Sequence, residues 1–192
     1  MAKFIYYDIA QICKDGHVMN IYVNYHSESN VKRCPNCSAE VISKCPVCQT
    51  PIRGGQIQEI NFKNHVTDPE NIFNTIDKTT FNYKELTKVE DYQLPAYCHE
   101  CGSPYPWTEE LLKKADDIID SFDELSEEQR ELLKERFPDL LTDNPRSITA
   151  ALTYSKLING LELASSAVGK GLIIHLLEEH VPEILFTLMQ LK

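Results

Sequence analysis

From Trp107 onward, Leu111, Leu112, Ala115, Ile118, Ile119 and Phe122 recur three and four residues apart with acids and lysines between them. That spacing predicts an amphipathic helix with one apolar face. Ser126-Glu127-Glu128-Gln129 fits a capping box, so a second helix is predicted to start there, with Leu132, Leu133 and Phe137 on its apolar side and Pro138 as its stop. Asp143-Asn144-Pro145 places a capping side chain just before a proline at a first helical position, and Ile148, Ala151, Leu152 and Ile158 carry the period of a third helix up to Gly160. The remaining segment is more apolar. Its small residues Ala164, Ser165, Ala167, Gly169 and Gly171 permit close helix approach, and Lys170, Glu178, Glu179 and Pro182 interrupt it. Its longest uncharged run, Ile184 to Leu191, is far short of the ~20 residues that cross a bilayer, so no membrane span is expected and burial against another helix is.

The first half follows a different pattern. Phe4-Ile5-Tyr6-Tyr7 and Ile21-Tyr22-Val23 read as strands, bounded by the turn signals Asp15-Gly16 and Gly54-Gly55. Residues 59–97 are polar, mixed and without a sustained period, which reads as a loop-rich insertion with short strands. The expected fold class is therefore α+β: a small β-rich module over residues 1–106, followed by an all-α domain of about four helices over residues 107–192.

A chain of 192 residues has room for one ordinary domain or two small ones. Its net charge of -10 is unevenly spread. Residues 1–58 hold six basic and four acidic side chains, whereas residues 107–192 hold nine and seventeen. The acidic helical part repels a polyanion, so nucleic acid is not expected as a partner and only the first third could contact one. The start, MAKFIYYDIA, has no apolar run with a small-residue cleavage site, so a cytoplasmic protein is expected. Thiols are kept reduced there, and clustered cysteines are read as metal ligands before they are read as disulfides.

Six of the seven cysteines form Cys-x2-Cys pairs: Cys34 with Cys37, Cys45 with Cys48, and Cys98 with Cys101. This spacing lets one turn aim two thiolates at a single ion while nearby amides donate to the sulfurs. Pro35 and Pro46 fix two of the turns. Gly102 follows the third pair, where Ser38 and Gln49 stand in the other two. The odd thiol, Cys13, has His17 four residues on across the Asp-Gly turn, which makes a fourth pair. Eight ligands are what two tetrahedral zinc ions require, and with every position filled the sites read as structural. The assignment is Cys13, His17, Cys34 and Cys37 for one ion and Cys45, Cys48, Cys98 and Cys101 for the other, a double zinc ribbon. The rival pairing joins Cys34, Cys37, Cys45 and Cys48 and leaves Cys13, His17, Cys98 and Cys101.

The motifs YDIAQICKDGHVMN, CPNC with CPVCQTPIRG, and CHECGSPYPWTEE, in this order ahead of an acidic helical tail, resemble a bacterial double-zinc-ribbon family catalogued as a domain of unknown function (family 2321). The resemblance covers nearly the whole chain and implies metal ligands at the same eight residues. It implies no mechanism.

Other candidates carry less. His175 and Glu179 share a helix face, but HLLEEH is not a His-Glu-x-x-His motif and His180 lies around the helix from His175, so a solvated face is expected. Tyr105 and Trp107 are candidate partner contacts whose commoner fate is packing, and Arg53 beside Gly54-Gly55 is a candidate anion contact. No Gly-rich phosphate loop or nucleophile elbow is present. The function expected is a zinc-stabilised adaptor, without catalysis, whose helical tail self-associates or docks a protein partner. One alternative is a nucleic-acid-associated ribbon using Lys32, Arg33, Lys44 and Arg53 with Tyr22 or Tyr25 as a stacking platform. The other is a metal- or thiol-dependent enzyme using Cys98 with Cys101, or His175 with Glu179.

Overall fold

The structure is a computed structural model that describes residues 2–63, 80–142, 144–160 and 167–189. It divides into two compact units, Met1–Ser103 and Pro104–Lys192. The fold is α+β, with two small antiparallel sheets in the first unit and, among the described residues, five helices in the second.

In the first unit, strand β1 (Ala2–Ile9) pairs with β5 (Arg53–Lys63), which pairs with β6 (Thr80–Leu86). The smaller sheet has β2 (Gln11–Cys13) at its centre, flanked by β3 (Val18–Asn20) and β4 (Val41–Ile42). The core these strands share is thin. Ala10, Ile12, Ile21, Tyr22, Ile52 and Ile57 are buried, and the Tyr22 hydroxyl donates to the Thr87 carbonyl at 2.7 Å. Buried Asp8 pins the loop after β3, accepting from the Tyr25 N–H at 2.9 Å and the Asn24 side chain at 2.8 Å.

Within residues 59–97 the expected short strands are present: β5 runs on to Lys63, and β6 pairs with it antiparallel from Thr80. Two expectations are corrected. Ile21-Tyr22-Val23 is not a strand but a bend and turn after β3. Gly54-Gly55 is also not a turn but part of β5, where two backbones pass too closely for any side chain. A Cβ on Gly54 would lie 2.3 Å from the Ile21 carbonyl oxygen and 2.7 Å from the Ile9 carbonyl carbon, and one on Gly55 would lie 2.4 Å from the Tyr22 ring. Neither obstacle at Gly54 can rotate away, so Gly54→Ala is expected to destabilise the first unit by about 3 kcal/mol, read by denaturant titration of the metal-loaded chain.

In the second unit, α1 (Pro106–Asp120) starts with proline at its first position, where no amide is needed. It buries Ala115 and Ile119. Helix α2 (Glu127–Leu140) has the predicted capping box: the Gln129 N–H donates to Ser126 Oγ at 3.2 Å and the Ser126 N–H to Gln129 Oε1 at 2.9 Å. Pro138 does not stop this helix. It sits inside the last turn, which fully buried Leu140 holds in place, so only one backbone bond is forgone. Helix α3 (Ser147–Asn159) begins after Pro145 rather than at it: Asn144 Oδ1 accepts from the Arg146 N–H at 2.7 Å in a turn ahead of the helix, and Ser147 Oγ donates back to the Thr142 carbonyl at 2.6 Å. Asp143 lies outside the described residues. The final apolar segment is two helices, α4 (Ala167–His180) and α5 (Glu183–Met189), parted at Val181-Pro182. Phe122, Leu133, Phe137, Tyr154, Ile158, Ile173 and Leu177 form one buried core, with the Tyr154 hydroxyl donating to the Leu133 carbonyl at 2.8 Å.

Candidate metal centres

Three loops in the first unit repeat one backbone turn. In each, the first cysteine's N–H and carbonyl close the turn: Cys34 N–H donates to Ala39 O and Ser38 N–H to Cys34 O, both at 2.9 Å. Cys45 with Thr50 and Gln49 repeats the pattern, as does Cys98 with Ser103 and Gly102. The residue after each second cysteine is left-handed, with φ of 62° at Ser38, 63° at Gln49 and 71° at Gly102. The geometry that Gly102 adopts freely is thus imposed on a serine and a glutamine, at about 1–2 kcal/mol each. A fourth loop follows β2: Gly16, at φ 90°, lets the chain turn so that His17 comes back over Cys13.

The loops meet in pairs. Cys13, His17, Cys34 and Cys37 form one cluster and Cys45, Cys48, Cys98 and Cys101 the other, with the ligand atoms of each cluster all within 4.8 Å of one another. The pairing is the first one derived from the spacing, not its rival. In the first cluster Cys13 Sγ lies 3.4 Å from His17 Nδ1 and 3.7 Å from Cys37 Sγ, and Cys34 Sγ lies 3.7 Å from His17 Nδ1. In the second, Cys45 and Cys101 sulfurs are 3.8 Å apart and those of Cys48 and Cys98 3.6 Å. These separations are too long for disulfides, and all seven cysteines are free. They are the edges of a tetrahedron: bonds of about 2.3 Å to sulfur and 2.0–2.1 Å to nitrogen place sulfurs roughly 3.8 Å apart and sulfur and nitrogen roughly 3.6 Å apart.

Electrostatics favour a cation at the all-thiolate centre. The amides of Cys101 and Glu100 aim at Cys98 and lower its pKa to about 6. The Ser103 hydroxyl and N–H hold Cys101 below its ordinary value. Cys45 receives the Cys48 amide as well, yet burial and the adjoining Cys48 and Cys98 sulfurs push it up to about 11. Four thiolates this close cannot all ionise without a positive charge between them. Both clusters are positioned to hold metal ions.

Around the first cluster Arg33 Nη1 donates to the Ser38 carbonyl at 3.1 Å and clamps the turn. Ser103, on which Cys101 relies, stands two residues after that cysteine, and Arg33 just before its turn. Ser103 was not singled out from the sequence, and Arg33 was singled out only as a phosphate contact.

The weaker candidates have other places. Arg53 lies on β5 with its guanidinium over the Tyr7 ring, 4.8 Å from the centroid. Tyr105 and Trp107 are buried and stacked, with ring centroids 4.7 Å apart, so packing is their fate. His175 and His180 are exposed, and each faces Glu179, at 3.5 Å and 3.8 Å, without making a ligand cluster. Among the described residues no helix is long and apolar enough to cross a membrane.

No curated protein and no solved structure matches the chain. One family model does, over residues 6–185, and so spans both metal centres and most of the helical unit. The chain thus belongs to the family described as an uncharacterized protein conserved in bacteria (DUF2321).

Proposed function

We propose that this protein is a zinc-stapled interaction module of the bacterial cytoplasm, an adaptor without catalysis of its own. Two structural zinc ions hold residues 1–103 in one shape, and the acidic helical unit docks a protein partner or a second copy. The observation that carries this reading is that each cluster offers four strong ligand atoms within 4.8 Å. Thiolate and imidazole donors in tetrahedral array suit zinc, and four of them leave no position for a water to be activated. Half-exposed Ile148, Leu152 and Leu172 give the helical unit apolar surface for a partner. A nucleic-acid role is weaker, since Arg33 and Arg53 are engaged within the chain. Native mass spectrometry of the purified chain is expected to show two zinc ions per chain that survive dialysis. One labile ion, or iron, would overturn the reading and return metal-dependent chemistry to consideration.

A further inference from the structure

Strand β1 has a partner on one side only, so its outer edge is a row of backbone donors and acceptors without a neighbouring strand among the described residues. Its four central side chains are all substantially exposed: Phe4 56%, Ile5 51%, Tyr6 42% and Tyr7 50%. The register with β5 places Phe4 opposite Glu59, Ile5 opposite Gln58, Tyr6 opposite Ile57 and Tyr7 opposite Gln56. Successive residues point to opposite faces of the sheet, so apolar surface is open on both faces at once. The other edge of the same sheet, β6, carries exposed Lys84 and Glu85, the charges with which edge strands block association. On β1 no charge interrupts positions 4 to 7.

We propose that β1 pairs edge to edge with β1 of a second copy of this chain, antiparallel about a two-fold axis, joining two three-stranded sheets into one of six. Three observations select this occupant. A partner laid on a face would cover Phe4 and Tyr6 or Ile5 and Tyr7, whereas an added strand sets neighbours beside both pairs. In an antiparallel pair, facing residues share a face, so the axis passes through a residue. Centred on Ile5 it sets Phe4 opposite Tyr6, and centred on Tyr6 it sets Ile5 opposite Tyr7. These are aromatic and β-branched cross-strand pairs of the favourable kind, and neither register opposes like charges, since Lys3 and Asp8 stand at opposite ends of the strand. The area also suffices. The four side chains expose roughly 400 Å² per chain, and with backbone and flanking residues a pair reaches about 1,200 Å², the lower end of stable interfaces. This contact is separate from the adaptor reading and moves self-association from the helices to the sheet.

Sedimentation velocity on the metal-loaded full chain over a rising concentration series tests it. Wild type and Leu152→Lys, which alters the helical unit, are expected to move toward twice the chain mass of 22.0 kDa. Ile5→Lys is expected to stay at the chain mass, its association weakened at least 30-fold. Metal content on the same samples reports folding and tests the adaptor reading independently. Should Ile5→Lys lose metal, Tyr7→Glu, which gives Arg53 a carboxylate to pair with, takes its place. A wild type that remains at the chain mass, or an edge variant that assembles like wild type, would overturn the proposal. A dimer lost only in Leu152→Lys would place the contact on the helices.

Discussion

Removing one candidate ligand of the second centre, by Cys45→Ser, is expected to reduce the metal content from two ions per chain to one and to loosen the Cys45 and Cys98 turns with the strands between them, while the helices beyond Pro104 persist. Cys45 is fully buried and anchors its turn through the N–H bond to Thr50 at 2.8 Å. The hydrophobic support around it is small, with strands of two and three residues in the sheet that carries Cys13. So thin a core rarely supplies more than about 3–5 kcal/mol, against on the order of 10 kcal/mol of apparent binding free energy for a structural zinc. Metal analysis with limited proteolysis checks this, because the helical unit should survive as a resistant fragment. A variant that keeps two ions and the wild-type cleavage pattern would show that Cys45 is not a ligand. Chelation of both ions should produce the larger version of the same result.

Phe137→Ala is expected to cost the helical unit about 4 kcal/mol, because truncating a fully buried aromatic forfeits its transfer free energy and leaves a cavity. Phe137 belongs to the buried core of that unit, its ring centroid 6.1 Å from that of Tyr154. Urea denaturation followed at 222 nm, on wild type and variant both loaded with metal, should resolve the loss as an earlier helical transition while metal content stays at two. A shift of less than about 1 kcal/mol would mean that the core collapses around the gap or that this packing is absent.

What the sequence made legible followed from how local the cause was. The capping box at Ser126 and the cysteine spacings are settled within a few residues, and both appear as read. Helix ends depend on tertiary burial, so Pro138 was misplaced as a stop: Leu140 is buried, and that outweighs one lost bond. Short strands were read within residues 59–97 but the pairing of β5 with β6 was not, because pairing between residues 57 and 86 is non-local and leaves no period in either strand. Gly54-Gly55 carried a turn signal for a different reason, the close passage of Ile9 and Ile21, and nothing in the sequence distinguishes the two.

The two centres also differ in how much chain each must gather. The first closes a span of 24 residues between Cys13 and Cys37, and the second a span of 56 between Cys45 and Cys101, with β5 and β6 inside it. Closing the longer loop costs only roughly 0.6 kcal/mol more in entropy, yet it waits on the slow pairing of distant strands. On a nascent chain the residues of the first cluster have all emerged long before those of the second, which gives the two clusters an order of assembly. The first cluster draws Cys13 from β2, and the second brackets β5 and β6 between its two pairs of cysteines.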